Sequence, residues 1–336
     1  MLTASILWYA QISYVSDAVK TVDNAGNLQY LTNNVEYSQK SRFLTKRPEK
    51  AHFFCVFDRK MTYYQIKASY CMTFLIVISL CSMYNLERKN MRKLALSDEI
   101  LLKVDKAARY IGGEVNSVVK DLSKIDIRVA MCFPDVYEIG MSNLGMMILY
   151  NMFNEREDVW CERVFSPWMD LDKIMREEHI PLFALESQES VKEFDFLGIT
   201  LGYEMCYTNV LQVLDLSHVS LLAKDRKEDD PIVIGGGACA YNPEPIAEFF
   251  DMFYIGEGET VYDALFDAYK ANKAAGGSRA DFLFAASQIP GIYVPSLYNV
   301  TYKEDGTIAS FTPAKEGVPE KVCKQLITDV TKDYRA

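Results

Sequence analysis

The sequence predicts a doubly wound α/β domain on a mostly parallel five-stranded sheet, with a small β-rich C-terminal extension. Three observations predict it. Short apolar runs recur at 127–133, 196–201, 231–234 and 252–255, each the length of a strand buried on both faces. Segments of helical periodicity lie between them. Each run also ends in a turn that carries glycine: 135–140, 202–207, 235–242 and 256–259. Strands alternating with helices in this way give a parallel sheet, and such sheets bind ligands off the carboxyl ends of their strands.

The organising stretch is 127–145, IRVAMCFPDVYEIGMSNLG. Its strand stops at a Pro-Asp turn, and Leu144, Met147, Ile148 and Met152 mark one side of a helix over 143–154. A second short strand is expected at 163–165, with a helix at 171–178 and an extended piece at 182–185. The buried strand 196–201 precedes a helix over Tyr207–Leu216. Strand 231–234 runs into Gly235-Gly236-Gly237, and Asn242-Pro243 opens a helix over 244–250. Strand 252–255 leads through Gly256-Glu257-Gly258-Glu259 to a long helix, 260–274. The pattern then changes: 281–288 reads as helix, and 291–294, 298–302 and 308–311 read as short strands. Glu304-Asp305-Gly306 is a hairpin signal, and the polar tail 313–336 reads as a linker.

Charge divides the chain. The first 90 residues carry 11 Lys/Arg against 6 Asp/Glu, whereas the remainder carries 25 against 40. So acidic a body argues against nucleic acid as a partner. The eight cysteines form neither CxxC nor CxxxCxxC, and they read as buried free thiols of a reducing, cytoplasmic compartment. His52, His179 and His218 fall in no zinc motif. GxGxxG and GKS/GKT are both absent, which removes the dinucleotide fingerprint and the P-loop.

Residues 1–90 are an atypical extension. Within it, 68–86 is nineteen residues without a charge, long enough to span a bilayer. Two readings stand side by side. One is a single membrane anchor. The other is translated sequence upstream of a natural start at Met91, and the abrupt change of character there favours it. Residues 91–126 form a helical lead-in, with a helix over 94–108, Ser97 near its start and Gly112-Gly113 as a connector. The domain proper is 127–278, and 279–336 holds the short strands and linker. Trp160 and Trp168 are expected in the core, and 224–230 in a solvated turn. Glu257 and Glu259 suit either a ligand contact or the N-terminus of the helix at Thr260.

The segments FPDVYEIGMSNLG, FDFLGITLGYEMCYTNVLQVLDL, PIVIGGGACAYNPEPIAEFFD and YIGEGE, after ARYIGGEVNSVVKD at 108–121, resemble the cobalamin-binding-like domain at the N-terminus of radical SAM proteins. The resemblance runs from about Met91 to the C-terminus. It implies a flavodoxin-like, cobalamin-binding-like sheet and a corrin ring lying on the four loops. In the family's DxHxxG loop, Asp135 and Gly140 keep the outer places, but Tyr137 stands where histidine would ligate cobalt. A phenol of pKa ~10 is a poor metal ligand at neutral pH. The resemblance thus implies cobalamin held without a protein ligand to cobalt, or a domain that has lost it. Thr200-Leu201-Gly202 matches the SxL place in part, and Gly235-Gly236 matches the Gly-Gly place. Candidate cofactor-binding residues are Asp135, Tyr137, Gly140, Thr200, Gly202, Glu204, Gly235, Gly236, Gly237, Gly256, Glu257 and Gly258. Tyr207 is a further loop residue able to face a ligand.

The family's [4Fe–4S] cluster and S-adenosylmethionine belong to a barrel carrying CxxxCxxC, which this sequence lacks. The chain is therefore expected to be an N-terminal fragment, inactive alone, whose partners are its own barrel and a corrinoid. The expected role is the cofactor module of a radical alkyl- or methyl-transferring enzyme. The rival is a non-catalytic docking or substrate-gating module. A flavin-binding or receiver-like role is disfavoured, since neither an aromatic-flanked flavin loop nor an acidic phosphoacceptor cluster is visible.

Overall fold

A computed structural model describes residues 94–329 and the strand residues 20–22 and 28–30. The chain divides into two compact units, Met1–Met91 and Arg92–Ala336. In the first, β1 (Lys20–Val22) pairs antiparallel with β2 (Leu28–Tyr30). The stretch 68–86 lies outside the described residues. Among the described residues, no helix is long and apolar enough to cross a membrane.

The second unit is a mixed α/β structure. Its sheet has six strands in the order β4-β3-β5-β6-β7-β8: β3 Ile127–Phe133, β4 Val159–Phe165, β5 Phe196–Thr200, β6 Ile232–Gly236, β7 Met252–Tyr254 and β8 Ile292–Tyr293. β3 to β7 run parallel, and β8 is antiparallel to β7. The sequence predicts five strands. The sixth, expected among the C-terminal strands, instead extends this sheet. The others pair separately as a hairpin, β9 (Tyr298–Tyr302) with β10 (Ile308–Pro313).

Alternation along the strands makes two cores. Ile127, Val129, Met131 and Phe133 face one layer, built from α1 (Leu144–Glu155), α4 (Tyr262–Ala274) and α5 (Arg279–Ala286). Ala130, Cys132, Leu197 and Val233 face the other, built from α2 (Met169–Glu178) and α3 (Tyr207–Leu216). Full burial of a Phe such as Phe196 or Phe266 contributes about 1.5–3 kcal/mol.

Local chemistry sets the helix ends. Asn143 caps α1, its Oδ1 accepting from Met146 N at 2.9 Å. At the other end of α1, the Lys120 ammonium donates to the carbonyls of Asn154 (2.8 Å), Arg156 (2.5 Å) and Val159 (2.6 Å). Ser278 and Asp281 form a reciprocal capping box on α5.

Several expectations are corrected. The helix expected over 94–108 is two short turns, Asp98–Leu101 and Ala108–Ile111, with Ser97 capping the first. The extended piece at 182–185 contributes only an isolated bridge between Phe183 and Ser190. β4 begins four residues earlier than expected, because Glu162 interrupts its apolar pattern; that carboxylate is buried and paired with Arg128 at 2.7 Å. The charged run at 224–230 is largely exposed, as expected, but Arg226 and Asp230 are buried, and Arg226 donates to Asp251 at 2.7 Å. Trp160 is in the core, but Trp168 is 42% exposed under Arg109. The tail folds back, pairing Gln325 with Gly256.

Candidate functional site

Five parallel strands place the four glycine-bearing turns on one edge of the sheet. Strand order reverses between β3 and β5, since β4 lies outside β3 and the later strands follow on the other side. A crevice opens at such a reversal. Here it is a slot of about 170 Å³ between α1, α4 and the sheet. Gly198, Gly236 and Gly237 lie on the sheet side, Met146, Leu149 and Phe153 on α1, and Tyr262, Leu265 and Phe266 on α4. Thr200, Asn143 and Glu259 add polar atoms to a mainly apolar lining.

The glycines have different reasons for being glycine. A Cβ on Gly198 would stand 3.6 Å from the Met131 sulfur, ordinary contact, so the residue keeps the slot open rather than relieving a clash. At Gly236 the nearest atom would be the Tyr262 hydroxyl, at 3.8 Å. Gly235 points to the opposite face, where a Cβ would meet Phe253 at 2.7 Å. Gly237 has φ 108° and lies against the Leu201 backbone.

The first loop is tied down by its own side chains. The Tyr137 hydroxyl donates to Glu114 Oε1 at 2.8 Å, and its ring meets Phe165 edge-on. Burial and the Glu114 carboxylate push the Tyr137 phenol up to about 12. Glu114 Oε2 in turn accepts from Arg163 at 2.7 Å. Arg163 is 2% exposed; it also donates to Glu186 Oε1 at 2.6 Å and lies over the Tyr150 ring. The Gly112-Gly113 connector, at φ 56° and 84°, delivers Glu114 to this network. Gly140 sits beneath Phe165, whose ring a Cβ would strike. The Asp135 carboxylate accepts from the Tyr203 hydroxyl, clasping the turns after β3 and β5 and holding the Tyr203 phenol up at about 12. Burial and the neighbouring Cys239 thiol push Tyr207 up to about 12 as well.

Of the candidate residues, Thr200, Gly236, Gly237, Gly256 and Gly258 line the slot. Asp135, Tyr137, Gly140, Gly202, Glu204, Gly235 and Glu257 do not, although the same sheet edge carries them. Glu257 does not cap α4, whose N-cap is Val261; its carboxylate accepts from Ile327 N at 2.5 Å. Asn143, Gly145, Gly198 and Tyr262 line the slot without having been singled out. A lone glycine inside an apolar strand, as at Gly198, signals close approach and could have been read. Tyr262 could not, because its role depends on where α4 packs.

Exposed apolar side chains surround this edge. Leu144 (71%), Met169 (73%), Met205 (86%) and Tyr241 (53%) all follow the carboxyl ends of strands. Among the described residues, no group of three or more His, Cys, Asp or Glu side chains could hold a metal ion. His179 and His218 follow the C-terminal ends of α2 and α3, which return the chain to the opposite edge.

Residues 145–295 match the family model for the N-terminal region of radical SAM proteins, a span from the start of α1 to just past β8. An uncharacterised protein of Methanocaldococcus jannaschii is 30% identical over 134 residues, which are 39% of this chain and 24% of that protein. The chain thus spans about a quarter of the curated relative's length. No solved structure matches. The segment that supplies most of the slot is therefore also the segment that is similar to the N-terminal region of radical SAM proteins.

Proposed function

We propose that this domain is the corrinoid-binding module of a radical SAM enzyme that transfers an alkyl or methyl group. The observation that carries the reading is the apolar slot under the strand-order reversal. The parallel strand order, read from β3 onward as 2-1-3-4-5, supports a flavodoxin-like reading, in which a ligand would sit at that reversal. An apolar cavity of about 150 Å³ accepts benzene, so a slot of about 170 Å³ suits a flat heteroaromatic ring. A corrin ring is far larger. The fit is therefore divided: the lower base of the corrinoid enters the slot, and the ring rests on the exposed apolar edge. Gly198 and Gly236 let the base lie on the sheet, while Met146, Leu149 and Phe266 exclude water. Tyr137, at the place where the resemblance would put a cobalt ligand, has its hydroxyl committed to Glu114. When bound, the corrinoid would carry the alkyl group; this chain's share is to bind and orient it. The [4Fe–4S] cluster, S-adenosylmethionine and the substrate belong, on this reading, to a barrel that docks with the module.

A second reading, a docking or substrate-gating module without cobalamin, is favoured by that same engagement of Tyr137. Titrating the whole chain with hydroxocobalamin, followed by absorbance and desalting, separates the two. The first reading expects corrinoid to be retained and Gly198→Val, which fills the slot from a strand position that tolerates valine, to weaken binding at least about tenfold. Loss of all corrinoid on desalting would refute it in favour of the second.

A further inference from the structure

We infer that Tyr262 makes the slot selective for a lower base whose edge can hydrogen-bond, over a base with an all-methyl edge. The inference rests on the corrinoid reading above. Tyr262 is fixed by aromatic neighbours: Phe153 at 4.7 Å, Tyr254 at 5.3 Å and Phe266 at 6.1 Å between ring centroids. Its hydroxyl lies above Gly236, 3.8 Å from where a Cβ would be, and therefore inside the slot. Among the described residues it makes no hydrogen bond. Neighbouring Tyr254 differs: its hydroxyl donates to Glu257 O at 2.6 Å and lies 3.2 Å from Thr260 Oγ1. Asn143, another polar residue of the lining, uses its Oδ1 to accept from Met146 N. Thr200 and Glu259 also bring polar atoms to the lining, but of these groups the Tyr262 phenol is the one held in an aromatic wall. Burial and nearby Tyr254 raise its pKa, so it stays neutral and can donate or accept.

A buried polar group aimed at a ligand discriminates strongly, because the wrong ligand leaves it unpaired. A dimethylated benzimidazole presents only methyl groups on its outer edge. A hydroxylated benzimidazole or an adenine presents acceptors and donors there. The slot should therefore prefer the latter by about ten- to hundredfold.

The test measures dissociation constants of the whole chain for four probes: cobinamide, which has no base, cobalamin, a hydroxybenzimidazolyl cobamide and an adeninyl cobamide. At least one polar-edged cobamide should bind about tenfold or more tightly than cobalamin. Tyr262→Phe, which removes only an unpartnered hydroxyl and keeps the ring contacts, should bring that ratio close to one. If the ratio survives in Y262F, or if cobinamide binds as tightly as the complete cobamides, the selectivity inference falls while the corrinoid reading stands. If wild-type protein binds none of the four, the corrinoid reading falls and takes the inference with it.

Discussion

Replacing Arg163 by Met should unsettle the loop that carries Tyr137. Arg163 is almost fully buried, and its guanidinium ties β4 to two other segments through three side chains: Glu186 after β4 at 2.6 Å, and Glu114 at 2.7 Å and Ser117 at 3.0 Å in the lead-in. Glu186 also accepts from the Arg163 backbone N–H at 2.7 Å, a bond the substitution leaves in place. The Glu186 side chain is 0% exposed, so Arg163→Met keeps its charge buried but removes the guanidinium that balances it. Removing one partner of a buried pair costs about 3–5 kcal/mol. Burial already raises the Glu186 carboxyl, and losing Arg163 should raise it further. An acid whose folded pKa exceeds its unfolded value of about 4.3 destabilises the fold once pH rises above that value. The gap between R163M and wild type should therefore be smallest near pH 4 and widen as pH rises through the folded pKa. The double variant R163M/E186Q, which removes both charges of the buried pair but keeps an acceptor for the backbone N–H of residue 163, should recover at least about half of the loss. Urea denaturation followed by tryptophan fluorescence measures all three. A single variant within about 1 kcal/mol of wild type at pH 7.5, or a gap that does not change with pH, would refute the account.

Two further outcomes are expected. Gly256 has φ 140°, and a Cβ there would overlap the Gln325 backbone. Gly256→Ala should cost more than about 1 kcal/mol and release the tail. Hydrogen exchange should then quicken at Gln325 and Ile327, whose amides donate to Ile255 O at 3.0 Å and to the Glu257 carboxylate at 2.5 Å; unchanged protection would contradict this. Glu138 accepts from Lys106 at 2.9 Å and from Arg109 at 3.0 Å, and Lys106 first, then Arg109, hold its carboxyl down at about 2. Its stabilising contribution is complete above the ordinary carboxylate range and is lost as pH falls through about 2. Because the pair is exposed, that contribution is below about 1 kcal/mol. A carboxyl NMR titration at low salt should show the depressed midpoint, and added salt should raise it.

Periodicity and turn chemistry settled much of the fold. Ile127–Phe133 and Tyr207–Leu216 keep the bounds read from sequence, because a strand buried on both faces and an amphipathic helix each impose a local pattern. Elements whose stability is not local were misjudged. The first half of β4 hides behind Glu162, which is apolar neither in character nor in pattern and is buried because Arg128 meets it. Arg226 reads as surface charge until Asp251 arrives from 25 residues away. The stretch 94–108 carries a helical pattern but forms only two turns, because tertiary contacts, such as Asp170 accepting from Asp105 N at 2.8 Å, compete with helix continuation.

The amino-acid order by itself determined that glycine-bearing turns follow the parallel strands, and parallel strands must present such turns on one edge. It could not determine which side chains share the slot. That depended on the face each glycine takes, on α1 and α4 packing over the same side of the sheet, and on Glu114 drawing Tyr137 away. Alternation sends Gly235 to one core and Gly236 to the other, so adjacent residues of one motif serve packing and opening separately. Local pattern fixes which elements form, whereas a binding site is made by residues distant in the chain that only packing brings together.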